Sequence, residues 1–280
     1  MKNQRKPIFI ASFLVCAILF SYSPSTRSQE VENEREFDYV EGSDKGPRHW
    51  GEIRKDWAAC KNGGMQSPID LLSQRVKLIP RSGQLKRNYK SCNATVKNRG
   101  HDISLQWVGD AGSIQINGTD YFLQQGHWHS PSEHSINGRR FELELHMVHE
   151  TKDLSVKNKI AVVGLFYKIG QPDPFISKLM RNIMSMTDKR GERRMGVIDP
   201  TEIKMGGKKY YRYMGSLTVP PCTEGVSWTI NKKIRTVSRE QVKILREVVH
   251  DYAERNSRPI QPLNRREIHL YGPNTRNTND

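Results

Sequence analysis

The sequence predicts a mostly β (α+β) fold: a single domain around a large, mainly antiparallel, twisted central sheet with a few short peripheral helices. Three observations carry that reading. Short runs of alternating apolar and polar residues recur between Ala94 and Ile230, as half-buried strands do. Helical signals are few. Nothing in the 280 residues reads as an interdomain linker, and β-rich single domains commonly reach roughly 250 residues.

Taken in order, Met1 to Phe20 has a basic start (Lys2, Arg5, Lys6) and then the apolar run Ile8 to Phe20. That run is shorter than the roughly 20 apolar residues of a membrane span and reads as a secretory signal peptide. An uncleaved anchor is the competing reading. The cut is expected near Ser28, so residues 1–28 leave and no stable membrane span remains. Residues 29–36 form an acidic, apolar-poor segment expected to be mobile. The globular body is expected over 37–271, and 272–280 is a polar tail. Pro47 to Asp70 mixes Trp, Gly and Pro as a packed loop region does.

Strands are expected at Ala94 to Asn98, Ile103 to Trp107, Ser113 to Ile116, Tyr121 to His129, Phe141 to His149, Ile160 to Tyr167 and Val226 to Ile230. Such spacing favours one antiparallel sheet. The best helix is Ser238 to Glu254, where Ser238 and Gln241 make a capping-box pattern and Val242, Leu245, Val249 and Tyr252 share a face. Pro174 to Met186 is a second.

The signal implies an oxidising compartment and a location in the secretory pathway. Cys16 departs with it, leaving Cys60, Cys92 and Cys222, among which three pairings are open. The sequons at Asn93 and Asn117 fit a glycosylated surface. Loss of Lys2, Arg5, Lys6 and Arg27 lowers the formal charge from +15 to about +11. The basic residues are scattered doublets without a nucleic-acid motif, so a solvated surface is favoured over a nucleic-acid partner.

Tyr121 to Glu150 holds five of the nine histidines. His127 and His129, two apart on a strand, point the same way and can share one ion. After the Asn137-Gly138 turn, Glu144, His146 and Val148 share a face, which adds a third imidazole. A lone strand histidine is more often an ordinary hydrogen-bonded residue. Three convergent ones reverse those odds, and three imidazoles leave the open fourth position typical of catalytic zinc. His134 and His149 read as structural.

The segments QSPIDL, HWHSPSEH, ELHMVHE, GSLTVPPCTEGVSW and RPIQPLNRR, spread in the right order from Gln66 to Arg266, together resemble the α-class carbonic anhydrases in their plant form, which includes nectarin- and dioscorin-like members. The resemblance runs from about Phe37 to Tyr271. It implies Zn2+ held by His127, His129 and His146, with Gln125 and Glu144 fixing ligand rings. Thr218 matches the gatekeeper hydroxyl and Glu133 the carboxylate behind it. Val148, Val162, Leu217, Val226 and Trp228 match the apolar wall for carbon dioxide. His101 matches the proton shuttle, with Tyr39 and Asn98 ordering water beside it. It also implies a Cys60–Cys222 disulfide, leaving Cys92 without a partner.

The activity so implied is reversible hydration of carbon dioxide to bicarbonate and a proton by zinc-bound hydroxide. The partners are these small molecules, and the chain a monomer or homodimer. The destination is the extracellular space or apoplast, or a plastid stroma reached through the secretory route. Two positions depart from the family pattern. Val219, in the substrate pocket, stands where most members carry Thr, and Gly126 replaces a bulky residue before the first ligand. They leave room for a storage or defence protein of the same fold with weak or no activity. A cell-wall carbohydrate-binding module is a third reading, resting only on charge and secretion.

Overall fold

A computed structural model of the protein describes residues 30, 36–80, 85–187, 191–249 and 255–273. The expected signal peptide and nearly all of the polar tail lie outside the described residues. A thirteen-stranded sheet dominates. Its main path runs Gly191–Ile198, Cys92–Asn98, Ile103–Trp107, Thr119–His129, Leu143–Glu150, Ile160–Ile169, Glu224–Asn231, Tyr210–Ser216, Ile268–Gly272, Val76–Pro80. Most neighbours are antiparallel. The exceptions are Ile160–Ile169 against both Glu224–Asn231 and Arg235–Val237, and Ile268–Gly272 against Val76–Pro80, which are parallel.

The two central strands are buried on both faces and sort their side chains by parity. Leu143, Leu145 and Met147 join a large core with Ile103, Leu105 and the helices Pro174–Met184 and Arg239–Glu247. Val148 joins a second core with Val162, Val226 and Trp228 on the other face. Sheet pleat alone produces this division, since successive side chains point oppositely. A register shift between Leu123 and Gln125 interrupts the alternation of Thr119–His129. Such a bulge re-aims the residues beyond it, and here those are Gln125, His127 and His129.

The hairpin from Gly112–Ile116 into Thr119–His129 turns on Asn117 and Gly118, with φ of 51° and 86°. Both central residues of this turn type need positive φ, which Asn-Gly tolerates best. The helix Pro174–Met184 starts on Asp173, whose side chain accepts from the backbone N–H groups of Phe175 and Ile176. The capping box of Ser238 and Gln241 is formed, but the helix runs only Arg239–Glu247. The expected extension to Glu254 fails at Val248, and residues 250–254 lie outside the described residues.

Candidate metal centre

Register places the imidazoles. His127 lies directly opposite His146 on the neighbouring antiparallel strand, and His129 opposite Glu144. The ring centroids of His127, His129 and His146 stand 4.6 to 5.3 Å apart, and all three rings are buried.

Each ring has one nitrogen engaged by an oxygen of the protein. His127 Nδ1 lies 2.9 Å from Gln125 Oε1, His129 Nδ1 lies 2.7 Å from the Asn256 carbonyl, and His146 Nε2 lies 2.9 Å from Glu144 Oε1. A carbonyl or carboxylate accepts, so these nitrogens carry the protons and the opposite ones keep their lone pairs. Burial pushes the pKa of His127 well below 6.5 and lowers that of His146. These two rings are therefore neutral, as metal ligation requires.

The three histidines offer ligand atoms within 4.8 Å of one another. His129 Nε2 is buried with no hydrogen-bond partner, and so is Glu133 Oε2, 3.7 Å away. The same carboxylate oxygen lies 3.9 Å from His146 Nδ1. An orphaned lone pair facing an orphaned carboxylate oxygen is costly without a cation between or beside them. The donor set and these orphans fit zinc.

Glu144 does more than hold His146. Its Oε1 also accepts from His134 Nδ1 at 2.8 Å, and Oε2 accepts from the His134 backbone N–H at 2.9 Å. Burial alone would raise its pKa, but the His134 and His146 imidazoles hold it well below 4.5. His134 Nε2 reaches Tyr213 Oη at 2.6 Å, and Tyr213 Oη reaches Ser67 Oγ at 2.7 Å. His134, Glu144 and His146 also stand close enough to share an ion. Their facing atoms are already at hydrogen-bond distance, so the trio is a hydrogen-bond chain behind the first site.

Val148, Val162, Leu217, Val226 and Trp228 form one buried apolar cluster, with the Trp228 ring 4.8 Å from that of His146. Val219 is not part of it. It packs with Phe37, Trp50, Trp57, Cys60 and Cys222, so its side chain serves the N-terminal aromatic cluster. Cys60 and Cys222 are disulfide-bonded with Cα atoms 5.0 Å apart, and Cys92 is a free, partly buried thiol. Asn93 and Asn117 are both exposed.

Three expectations meet a different arrangement. His101 is 2% exposed, with both ring nitrogens buried and unpartnered. Its ring lies 5.0 Å from Phe37, and burial pushes its pKa down to about 4. Asn98 is engaged by the backbone: its amide nitrogen donates to the carbonyls of Met186 and Val248, and its oxygen accepts from Gly100 N–H. Glu133 Oε1 accepts from the Arg258 backbone N–H at 3.0 Å, which turns Oε2 toward the imidazoles without a hydrogen bond to the buried Thr218. Tyr39 is half-buried against Trp50 and its hydroxyl is unpartnered.

Residues 45–272 match the family model described as eukaryotic-type carbonic anhydrase. The chain belongs to that family. It is 52% identical to α-carbonic anhydrase 7 of Arabidopsis thaliana over 266 residues, 95% of each chain. It is 51% identical to carbonic anhydrase Nec1 of Nesocodon mauritianus, over 94% of this chain and 95% of that one. A solved dioscorin, in complex with ascorbate, superposes with a TM-score of 0.82 at 42% identity, covering 86% of this chain and 99% of its own.

Within this carbonic anhydrase fold, several site residues carried no local sequence signal. The Asn256 carbonyl and the Arg258 N–H come from 127 and 125 residues beyond their partners His129 and Glu133. Arg99 and Asp102 form a buried pair, Nε to Oδ1 at 2.7 Å and Nη2 to Oδ2 at 2.5 Å. Their i, i+3 spacing around His101 was the available clue. Glu30, in the segment expected to be mobile, instead has its side chain buried beside Arg99 and His127. Among the described residues, no helix is long and apolar enough to cross a membrane.

Proposed function

We propose that this protein catalyses the zinc-dependent, reversible hydration of carbon dioxide to bicarbonate and a proton. The observation that carries the reading is the set of three buried imidazoles, each with one nitrogen fixed by the protein and one left open. Zinc held by His127, His129 and His146 would supply the acidity that brings the pKa of water to about 7, carbonic anhydrases being themselves the reference case for that value.

The chain's own residues then have distinct tasks. Gln125, Glu144 and the Asn256 carbonyl orient His127, His146 and His129. Glu133, held by the Arg258 backbone, supplies the negative charge opposite the open nitrogens, with the Thr218 hydroxyl as its partner once a ligand is in place. Val148, Val162, Leu217, Val226 and Trp228 offer carbon dioxide an apolar surface that excludes water. His101 passes the proton outward after the Phe37 ring moves aside, with Tyr39 packed against the same ring. The disulfide, the exposed sequons and the expected signal favour a secretory-pathway protein, extracellular or carried to a plastid.

Zinc analysis with stopped-flow hydration tests the reading. The expected result is one zinc per chain with sulfonamide-sensitive hydration, and loss of both in His127→Ala. Stoichiometric zinc without hydration would overturn it. That outcome favours the second reading, a storage or defence protein of this fold, for which the sealed His101 and the apolar setting of Val219 are the supporting observations.

A further inference from the structure

Glu30 belongs to no strand or helix, yet its carboxylate is buried beside Arg99 and His127. Its side chain is 8% exposed. One oxygen, Oε2, accepts from Arg99 Nη1 at 2.9 Å and from Gln125 Nε2 at 3.0 Å. The other, Oε1, stands 3.9 Å from His127 Nε2, the open nitrogen of the first imidazole. We propose that Arg99 and Gln125 form a binding subsite for a small carboxylate at the edge of the metal centre, and that Glu30 fills it from within the same chain.

The construction of Arg99 supports this. Its guanidinium is 4% exposed and pairs in fork geometry with Asp102, through Nε and Nη2. That pair neutralises the arginine and fixes its plane, leaving Nη1 aimed at Glu30. A guanidinium held this way recognises a second planar carboxylate with little further ordering. Gln125 adds a neutral donor from the same strand face as His127, while its Oε1 holds His127 Nδ1. One carboxamide thus bridges the subsite and the proposed ligand.

Arg99 and Asp102 cancel, so the Glu30 carboxylate brings net negative charge beside the three imidazoles. This favours a cation in the centre and disfavours any external anion seeking the same donors. With Glu30 removed, Nη1 of a buried guanidinium is left without a partner, and an unsatisfied buried donor is strongly biased toward refilling. Small monocarboxylates and bicarbonate share the planar geometry that fits.

The inference rests on the proposed metal centre only for its consequence and can be tested apart from it. Acetate is titrated into wild type and Glu30→Ala, each zinc-loaded and after chelation, while the side-chain amide resonances of Gln125 are followed. The expected result is at least tenfold tighter acetate binding in Glu30→Ala, with the Gln125 amide shifting, in the chelated protein as well as the loaded one. Equal affinities, or binding that leaves the Gln125 amide unmoved, would overturn it. Arg99→Lys combined with Glu30→Ala, checked for folding by near-ultraviolet circular dichroism, should lose the gain; retention of full affinity would also overturn it. Acetate binding seen only in the zinc-loaded form would place the anion on the metal and likewise refute the subsite. Loss of hydration with the subsite intact would instead count against the proposed function.

Discussion

Glu144 is the residue on which most of the buried polar chain depends, because it receives hydrogen bonds from two imidazoles and one backbone N–H. Removing its charge leaves His146 less firmly oriented and less basic. Glu144→Gln is therefore expected to weaken zinc binding by about 10- to 100-fold, as outer partners of ligating histidines do; competition with a chelator measures it. Unaltered affinity would count against the role. His149 shows a different consequence of burial. It lies on the opposite face, bonded to Tyr89 Oη at 2.9 Å, and burial lowers its pKa to about 4. The unfolded ring titrates near 6.5, so between about pH 6.5 and 4 the unfolded chain binds a proton that the folded chain does not. Stability is complete above that window and falls as pH drops through it, by about 3 kcal/mol for this one group. In zinc-free protein, His149→Gln should flatten the slope measured by denaturant unfolding, and an unchanged slope would contradict it.

The strand Thr119–His129 illustrates what patterns can and cannot convey. Gly126 reads as a weakness next to the first ligand, yet a Cβ there would meet Leu145 Cδ1 at 3.4 Å and Trp107 Cζ3 at 3.8 Å, ordinary contacts. Neighbouring side chains have filled the space. Its φ is not among the positive ones, so Gly126→Ala is expected to stabilise by about 0.4–1 kcal/mol through the unfolded chain. Gly126→Phe should destabilise by about 1–3 kcal/mol, because Trp107 and Leu145 would have to move. Thermal unfolding of both variants decides, and a destabilised alanine variant would show the strand to be strained. The half-buried strands, the capping box and the convergence of His127, His129 and His146 were legible because each depends on a local period. Gly191–Ile198, Val76–Pro80 and Ile268–Gly272 were not legible. The first two are largely exposed at the ends of the sheet path, where no buried face imposes alternation, and in the third only Ile268 and Leu270 are buried. The burial of His101 was equally invisible, since Phe37 reaches it from a distant segment.

At the scale of the whole molecule, the loop carrying Thr218 is tied to the N-terminal region by covalent and polar links that meet at Arg258. Its Nη2 donates to the Cys60 carbonyl, its Nη1 to Gln66 Oε1 and the Ser67 carbonyl, all at 2.8 Å, and its backbone N–H to Glu133. The guanidinium also lies over the Trp50 ring. The Cys60–Cys222 bond thus fixes a carbonyl that positions Arg258, whose backbone in turn positions Glu133. The bond spans 162 residues, so its chain-entropy contribution is about 5 kcal/mol, with measured losses on removing native disulfides of about 2–5 kcal/mol. Replacing both cysteines by alanine should lower stability within that range, read from denaturant unfolding. If the coupling through Arg258 holds, the double variant should also release zinc faster to a chelator under conditions where it remains fully folded, because Glu133 loses its fixed position. A variant that is less stable but releases zinc at the wild-type rate would confine the disulfide to stability and separate it from the metal centre.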